Sequence, residues 1–403
     1  MMAKSPPLGG LEEGRMAAAD ARNERSASID YLRAFVTLMV LGHHSSLAYT
    51  TFAHFDEANF LASTAPIVDK ARWAFLDYAE NFNDVFFMSL MFAISGLFVW
   101  PQLRKWGAGH FLRDRLVRLG LPFLVGTVFV MPLAYYPSYL MTGRGQGYLR
   151  FWFEFLTKDG WAPGPLWFVW LLLFFDCLAA LVFLAIGRLK TSLSIRSPLR
   201  SFAAIFVITF FAYVPLLARF GFGTWVPFLV PPFYFQLPRL GLYLVWFVAG
   251  ILLGRGGIEG GMLARDGRLG RRWPLWVAAT LIVYNLLWFV PGDLLGALGA
   301  AKEVRDLSYV ILWVLSCAAS CYGFLAFFTG AIKRRRPWMD FLARMAYVMY
   351  IVHYVFVTWA QYFLLQVSLP AGAKFVLVYG VVLALSALCA KLLLRVPRLA
   401  AFL

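Results

Sequence analysis

Six ionisable side chains fall inside long apolar stretches of this chain: Arg33, His43, His44, Asp176, Arg344 and His353. An ionisable group in hydrocarbon is costly, so each is a functional candidate. Arg33 and Arg344 lie near the ends of their stretches, where a long stem lets the guanidinium reach the interface. His44, Asp176 and His353 lie deeper, about 16–20 Å along their helices at 1.5 Å per residue. Three helices are therefore expected to carry a polar group at similar depth. Arg33 and His44 fall within about 20° of one another on a helix, roughly 16 Å apart along its axis. Asp30 is placed for an i,i+3 contact with Arg33, whereas His43 points away from this line. Such a stripe offers an ion pair at the rim and a proton-accepting imidazole in the interior.

Two further clusters carry chemistry. Arg113, Arg115 and Arg118 lie in His110-Phe111-Leu112-Arg113-Asp114-Arg115-Leu116-Val117-Arg118. Arg115 and Arg118 are neighbours at a helix start, an arrangement that suits phosphate groups. Ordinary anchoring of a membrane helix by basic residues explains them as well. Later, Tyr347 and Tyr350 precede His353 by two turns and one turn. A packed, hydrogen-bonded histidine is the alternative there. Trp167 stands in Gly164-Pro165-Leu166-Trp167-Phe168, and the segment 219–238 is dense in Trp, Tyr, Phe and Pro. These aromatics suit either an interfacial belt or stacking on a sugar. The chain has no phosphate-binding Gly-rich loop, no paired catalytic carboxylates and no Gly-x-Ser-x-Gly elbow. Cys177, Cys317, Cys321 and Cys389 read as small apolar packing residues, and no metal site is expected.

The elements that must position these groups are membrane helices. Hydrophobic residues make up 61% of the 403 and charged residues only 14%, against about 25% in a soluble domain. The apolar runs have spanning length. The expected fold is an all-α polytopic bundle of about ten helices, near 31–52, 84–100, 117–138, 165–186, 201–218, 239–254, 273–290, 307–329, 340–365 and 373–394. Residues 1–28 read as a disordered tail without the apolar core of a cleavable signal peptide. Residues 397–403 read as a short C-terminal tail. Of the 37 Lys and Arg, 25 fall in the tails and even-numbered loops and ten in the odd-numbered loops. That bias places both termini in the cytoplasm, in a bacterial inner membrane. It also explains the net charge of +16 without nucleic acid. Gly250 and Gly254 form a Gly-x-x-x-Gly pair, which serves internal packing as readily as oligomerisation.

Taken together, the three clusters resemble the acyltransferase 3 family over about residues 28–396. Arg33 and His44 match its Arg-x10-His. Phe86, Phe87, Ser95 and Gly96, followed by Arg115 and Arg118, resemble its Phe-Phe…Ser-Gly and Arg-x-x-Arg marks, with a longer Phe-to-Ser spacing. Tyr347, Tyr350 and His353 match its late Tyr-x2-Tyr-x2-His. Leu166-Trp167-Phe168 and Gly120-Leu121-Pro122 look similar to the branch containing the glucan-succinylating enzyme (glucans biosynthesis protein C). The acidic pair that another branch carries in its fourth helix is absent, and Asp176 is not its equivalent.

The resemblance implies transfer of an acyl group, acetyl or succinyl, from cytoplasmic acyl-coenzyme A to an acceptor at the outer face. The acceptor would be a glycan, a lipid-linked sugar or a small metabolite. No cofactor would be bound permanently. On this reading Arg115 and Arg118, with Arg113, hold the donor phosphates. The pantetheine arm follows the Arg33–His44 stripe, and neutral His44 is the general base on an acceptor hydroxyl. Asp30 orients Arg33, and His353, Tyr350 and Trp167 line the acceptor side. A proton-coupled transporter or flippase is the other reading, since buried His and Asp also serve proton relays.

Overall fold

The computed structural model describes residues 8–145, 147–187, 197–255, 261–264, 267–400 and 402. Its long helices are α1 (Leu8–Leu47), α2 (Ala74–Gly96), α3 (Val99–Met141), α4 (Tyr148–Thr157), α5 (Gly164–Ile186), α6 (Pro198–Phe220), α7 (Leu237–Arg255), α8 (Trp273–Ala297), α9 (Lys302–Ala331), α10 (Pro337–Leu364) and α11 (Ala371–Leu393). Among the described residues, eight of these are long and apolar enough to cross a membrane: α3 and α5 to α11. α1 and α2 fall short of that measure, and they carry Asp30, Arg33, His43, His44, Glu80 and Asp84. Both pack inside the bundle, where neighbouring helices rather than lipid surround those groups. Lipid-facing positions such as Leu184, Phe211, Ile282 and Val376 are exposed and apolar, as a bilayer requires. The all-α expectation holds, with one addition among the described residues. An antiparallel ribbon, β1 (Trp225–Pro227) and β2 (Tyr234–Gln236), pairs Val226 with Phe235 inside the aromatic segment.

Two expectations about elements change. The segment 1–28 is helical from Leu8, continuous with α1; residues 1–7 lie outside the described residues. Ala17-Ala18-Ala19 and straight-chain charged residues are strong helix formers. Composition alone weighed polarity and missed that propensity. The third span is also far longer than 117–138: α3 runs from Val99 through a break at Gly107 (φ 76°) to Met141. α4 had no counterpart among the expected helices. It buries Phe151 and Phe155 and exposes Leu149 and Phe153, the pattern of a helix lying in an interface.

Prolines in α3 create binding positions for its neighbours. A proline has no N–H, so the carbonyl four residues earlier loses its helical donor. Pro122, Pro132 and Pro137 stand four residues after Arg118, Val128 and Leu133. Each of those carbonyls accepts from an aromatic side chain on another element. Tyr347 OH donates to Arg118 O at 2.6 Å, Trp152 Nε1 to Val128 O at 2.7 Å and Trp359 Nε1 to Leu133 O at 3.0 Å. Single π-helical turns at Leu116–Gly120 and Gly126–Val130 accompany these positions. The first of them re-aims the backbone at Arg118. Two of the three fastenings tie α3 to α10.

Close approach of α2 and α7 consumes the glycine pair. A Cβ on Gly250 would overlap the backbone of Ala93, and one on Gly254 that of Leu97. Gly96 meets the Phe247 carbonyl in the same way. At the far end of α1, Lys374 Nζ on α11 meets Asp69 Oδ2 at 2.6 Å, with both side chains buried. The other Asp69 oxygen accepts from the Ala71 amide at 2.8 Å. This ion pair clamps the α1–α2 connection onto the bundle.

Candidate functional site

His44 and His353 meet between α1 and α10. His353 Nε2 lies 3.1 Å from His44 Nδ1, and the ring centroids are 5.1 Å apart. The hydrogen bonds decide the tautomers. His353 Nδ1 is 2.6 Å from the Tyr350 carbonyl, which can only accept, so that nitrogen carries the proton. With the ring neutral, His353 Nε2 is then a lone pair. His44 Nδ1 faces that lone pair and also the Val40 carbonyl at 3.0 Å. Both neighbours are acceptors, so His44 Nδ1 carries its proton as well. The remaining nitrogen, His44 Nε2, is an unprotonated base with no hydrogen-bond partner among the described residues. Tyr354 packs edge-on against the His44 ring at 5.1 Å. Gln361 Nε2 donates to the His44 carbonyl at 3.1 Å, holding the end of α1 in register with α10.

The His353 side chain is completely buried, and its Nε2 lone pair against His44 Nδ1 holds that ring's orientation and tautomer. Tyr350 is likewise buried, its hydroxyl donated to the Pro165 carbonyl. Trp167 packs edge-on against Trp225 and Phe168 and tilted against Tyr243, half-buried beside the ribbon. We expect His353→Ala to lower turnover by about 10–100-fold, part of the roughly 10²–10⁴-fold that a positioned base supplies. Steady-state kinetics would show kcat falling with the donor KM unchanged.

A cavity of about 770 Å³ opens at the end of the bundle that carries Arg33. Its lining includes Arg33, Arg115, Arg118, Arg335 and Arg344, with Asp30, Asp114, Asp176 and Asp340. Each aspartate faces one arginine. Asp30 Oδ1 is 2.9 Å from Arg33 Nη2, Asp114 Oδ1 2.9 Å from Arg118 Nε, Asp176 Oδ2 3.3 Å from Arg115 Nε and Asp340 Oδ1 3.4 Å from Arg335 Nε. The Asp176–Arg115 approach is an ion-pair contact without hydrogen-bond geometry, because Arg115 Nε makes no hydrogen bond. Arg115 instead donates from Nη2 to Gln102 at 2.6 Å. Five arginines against four aspartates leave one formal positive charge. Planar guanidinium forks held by carboxylates are preorganised for phosphate.

Asp176 is not brought together with the two histidines. His44 and His353 meet, while Asp176 belongs to the basic cavity, because its helix turns that residue toward Arg115. Arg113 is exposed and outside the cavity lining; its side chain projects from the opposite side of the helix. The lining reaches inward to Met91, Phe168, Val169 and Tyr347, short of His44. Phe168 is 6.1 Å from the Tyr350 ring, and Tyr350 is 5.8 Å from the His353 ring. These rings separate the cavity from the histidines.

Several participants escaped the sequence reading. Asp114 was legible as an i,i+4 partner of Arg118. Tyr354 and Gln361 continue the Tyr347–Tyr350–His353 face of α10 at helical spacing. Gln102, Arg335 and Asp340 carried no such signal: Gln102 reaches Arg115 across the break at Gly107 in α3, and Arg335 and Asp340 come to the cavity from a distant part of the sequence. His43 packs edge-on against the His44 ring at 5.3 Å and reaches toward Glu80 Oε1 at 3.7 Å and the Phe87 ring at 5.0 Å.

A family model described as an acyltransferase domain, that of the acyltransferase 3 family, matches residues 26–394. The chain belongs to that family. No curated protein and no solved structure matches it.

Proposed function

We propose that this membrane acyltransferase draws its acyl group from acyl-coenzyme A held in the basic cavity. It passes that group to a hydroxyl of a glycan or similar acceptor arriving from the opposite face. One observation carries this reading: the hydrogen-bond chain Tyr350–His353–His44 ends in a free lone pair on His44 Nε2. On the same helix, Arg33 lines an arginine-rich cavity. The basic residues then mark the cytoplasmic side of a bacterial inner membrane.

In the transfer, His44 Nε2 takes the acceptor hydroxyl proton as the oxygen attacks the thioester carbonyl. The new C–O bond forms, and the C–S bond breaks with its electron pair on sulfur. The imidazolium returns its proton to the departing coenzyme A thiolate, so no net proton is released. The Phe168 and Tyr350 side chains must yield for the pantetheine arm to pass. The acyl group, acetyl or succinyl, is set by the space around that passage.

Binding and turnover of a panel of acyl-coenzyme A donors by purified protein tests the reading. Saturable binding of one donor with slow coenzyme A release supports it. Absence of binding by folded protein would transfer the assignment to a transporter. Arg115→Ala is expected to weaken donor binding by about 10–100-fold, the effect of about 1.5–3 kcal/mol for a hydrogen bond to a charged group. Its kcat at saturating donor should change little, as titration calorimetry beside kinetics would show.

A further inference from the structure

We infer that Glu80 and Asn83 on α2 hold the acceptor, binding a second hydroxyl of a polyhydroxylated molecule such as a sugar while His44 works on the first. The inference deepens the acyl transfer proposed above and rests on it.

Met91 and Ser95 of α2 line the arginine cavity. Glu80 precedes them on the same helix, roughly 16–22 Å nearer its other end at 1.5 Å per residue. It is therefore far from the donor phosphates and close to the histidines. Glu80, Asn83 and Phe87 fall within about 60° of one another at 100° per residue. Phe87 packs on the His43 ring at 5.0 Å, so this face of α2 is turned to α1. Glu80 Oε1 is 3.7 Å from His43 Nε2, and the His43 ring meets the His44 ring edge-on at 5.3 Å. One imidazole thus separates Glu80 from the base, a span that a single sugar ring can bridge.

Hydrogen bonding singles out the two residues. Of the three carboxylates of α2, Asp77 accepts from the Thr51 amide at 2.7 Å and from the Thr51 hydroxyl. Asp84 is taken by both arms of the Arg239 guanidinium, with Nη1 meeting Oδ1 at 2.7 Å. Glu80 makes no hydrogen bond among the described residues, since 3.7 Å to His43 is too long for one. The Asn83 side chain makes none there either. Both residues are half-buried, and their polar atoms are not sealed inside the bundle. They are open to a ligand, yet they hold fixed places on a packed helix, which lowers the entropy lost on binding. A carboxyl accepts from hydroxyls, and donates as well when it carries a proton; an amide does both. Together they suit the neighbouring hydroxyls of a polyol. An acceptor with a single hydroxyl leaves them unused.

The test measures acyl transfer by the full chain in nanodiscs, from an acyl-coenzyme A that it binds, to methyl glucoside, its monodeoxy analogues and propan-1-ol. Glu80→Ala should raise the glucoside KM by about 10–100-fold and leave the propanol KM and the donor affinity where they were. Glu80→Gln should keep most of the native KM. Asn83→Ala should raise the glucoside KM by about 3–10-fold, and it carries the test if Glu80→Ala does not fold. One monodeoxy analogue should already show the raised KM with native protein and lose nothing more in Glu80→Ala. An unchanged glucoside KM in both alanine variants overturns the inference. So does native protein that acylates propanol but not the glucoside. A Glu80→Ala variant whose kcat falls equally on both acceptors, with KM unmoved and no rescue by Gln, assigns Glu80 to proton movement and also overturns it. Failure of native protein to bind any donor overturns the acyl-transfer reading beneath.

Discussion

His44→Ala abolishes measurable acyl transfer, a fall of about 10²–10⁴-fold in kcat, while donor affinity stays within about twofold. The two halves of this result have separate causes. The donor phosphates meet Arg115, Arg118 and their neighbours in the cavity, whose lining does not include His44. The lost imidazole removes only the base. Removing His353 is milder, because His44 then keeps its Nε2 and the Val40 carbonyl still accepts from Nδ1. The order His44→Ala far below His353→Ala distinguishes a base with a positioning partner from two equivalent groups in a relay. Calorimetric donor binding and single-turnover rates on the same preparations would establish it. Retention of full activity by His44→Ala would remove the general-base assignment.

Lys374→Met destabilises the protein by about 3–5 kcal/mol, the usual cost of leaving one partner of a buried ion pair alone. Lys374 and Asp69 are both 3% exposed at their side chains, so solvent does not rescue the orphaned carboxylate. Asp69 also caps the Ala71 amide, and this keeps it in place after the lysine is gone. The double replacement Lys374→Met/Asp69→Asn should recover a substantial part of the loss. Asparagine keeps an acceptor for that amide and carries no charge. Thermal unfolding in a single detergent would read both. A single variant as stable as the native chain would show that water reaches Asp69.

Much of the architecture was legible in the chain. Apolar length and spacing located ten long helices, of which eight among the described residues are long and apolar enough to cross a membrane, since a bilayer demands continuous helical stretches whatever their neighbours are. Polar positions within them were equally plain. Asp30 and Arg33, three apart on one helix, meet as local geometry requires. The α4 helix was missed because its ten residues are too short and too amphipathic to register as a span. The helical continuation of α1 is not legible from composition, because a polar, charged stretch suits a disordered tail as well as a solvated helix.

The partnerships across helices were not legible. His44 meets His353 from 309 positions away, and Asp176 meets Arg115 on another helix. Sequence spacing fixes a side chain's angle relative to others on its own helix. It does not fix the rotation of that helix against the next, nor the depth at which a kinked one sits. Those follow from packing, such as α2 on the glycines of α7 and the proline-freed carbonyls of α3 on Tyr347 and Trp359. The sequence by itself therefore determined a membrane bundle with an arginine rim and buried histidines. Only the tertiary structure decided that two histidines share a hydrogen bond and that His44 holds the free lone pair. That bond depends on the relative rotation of α1 and α10, which no local pattern encodes.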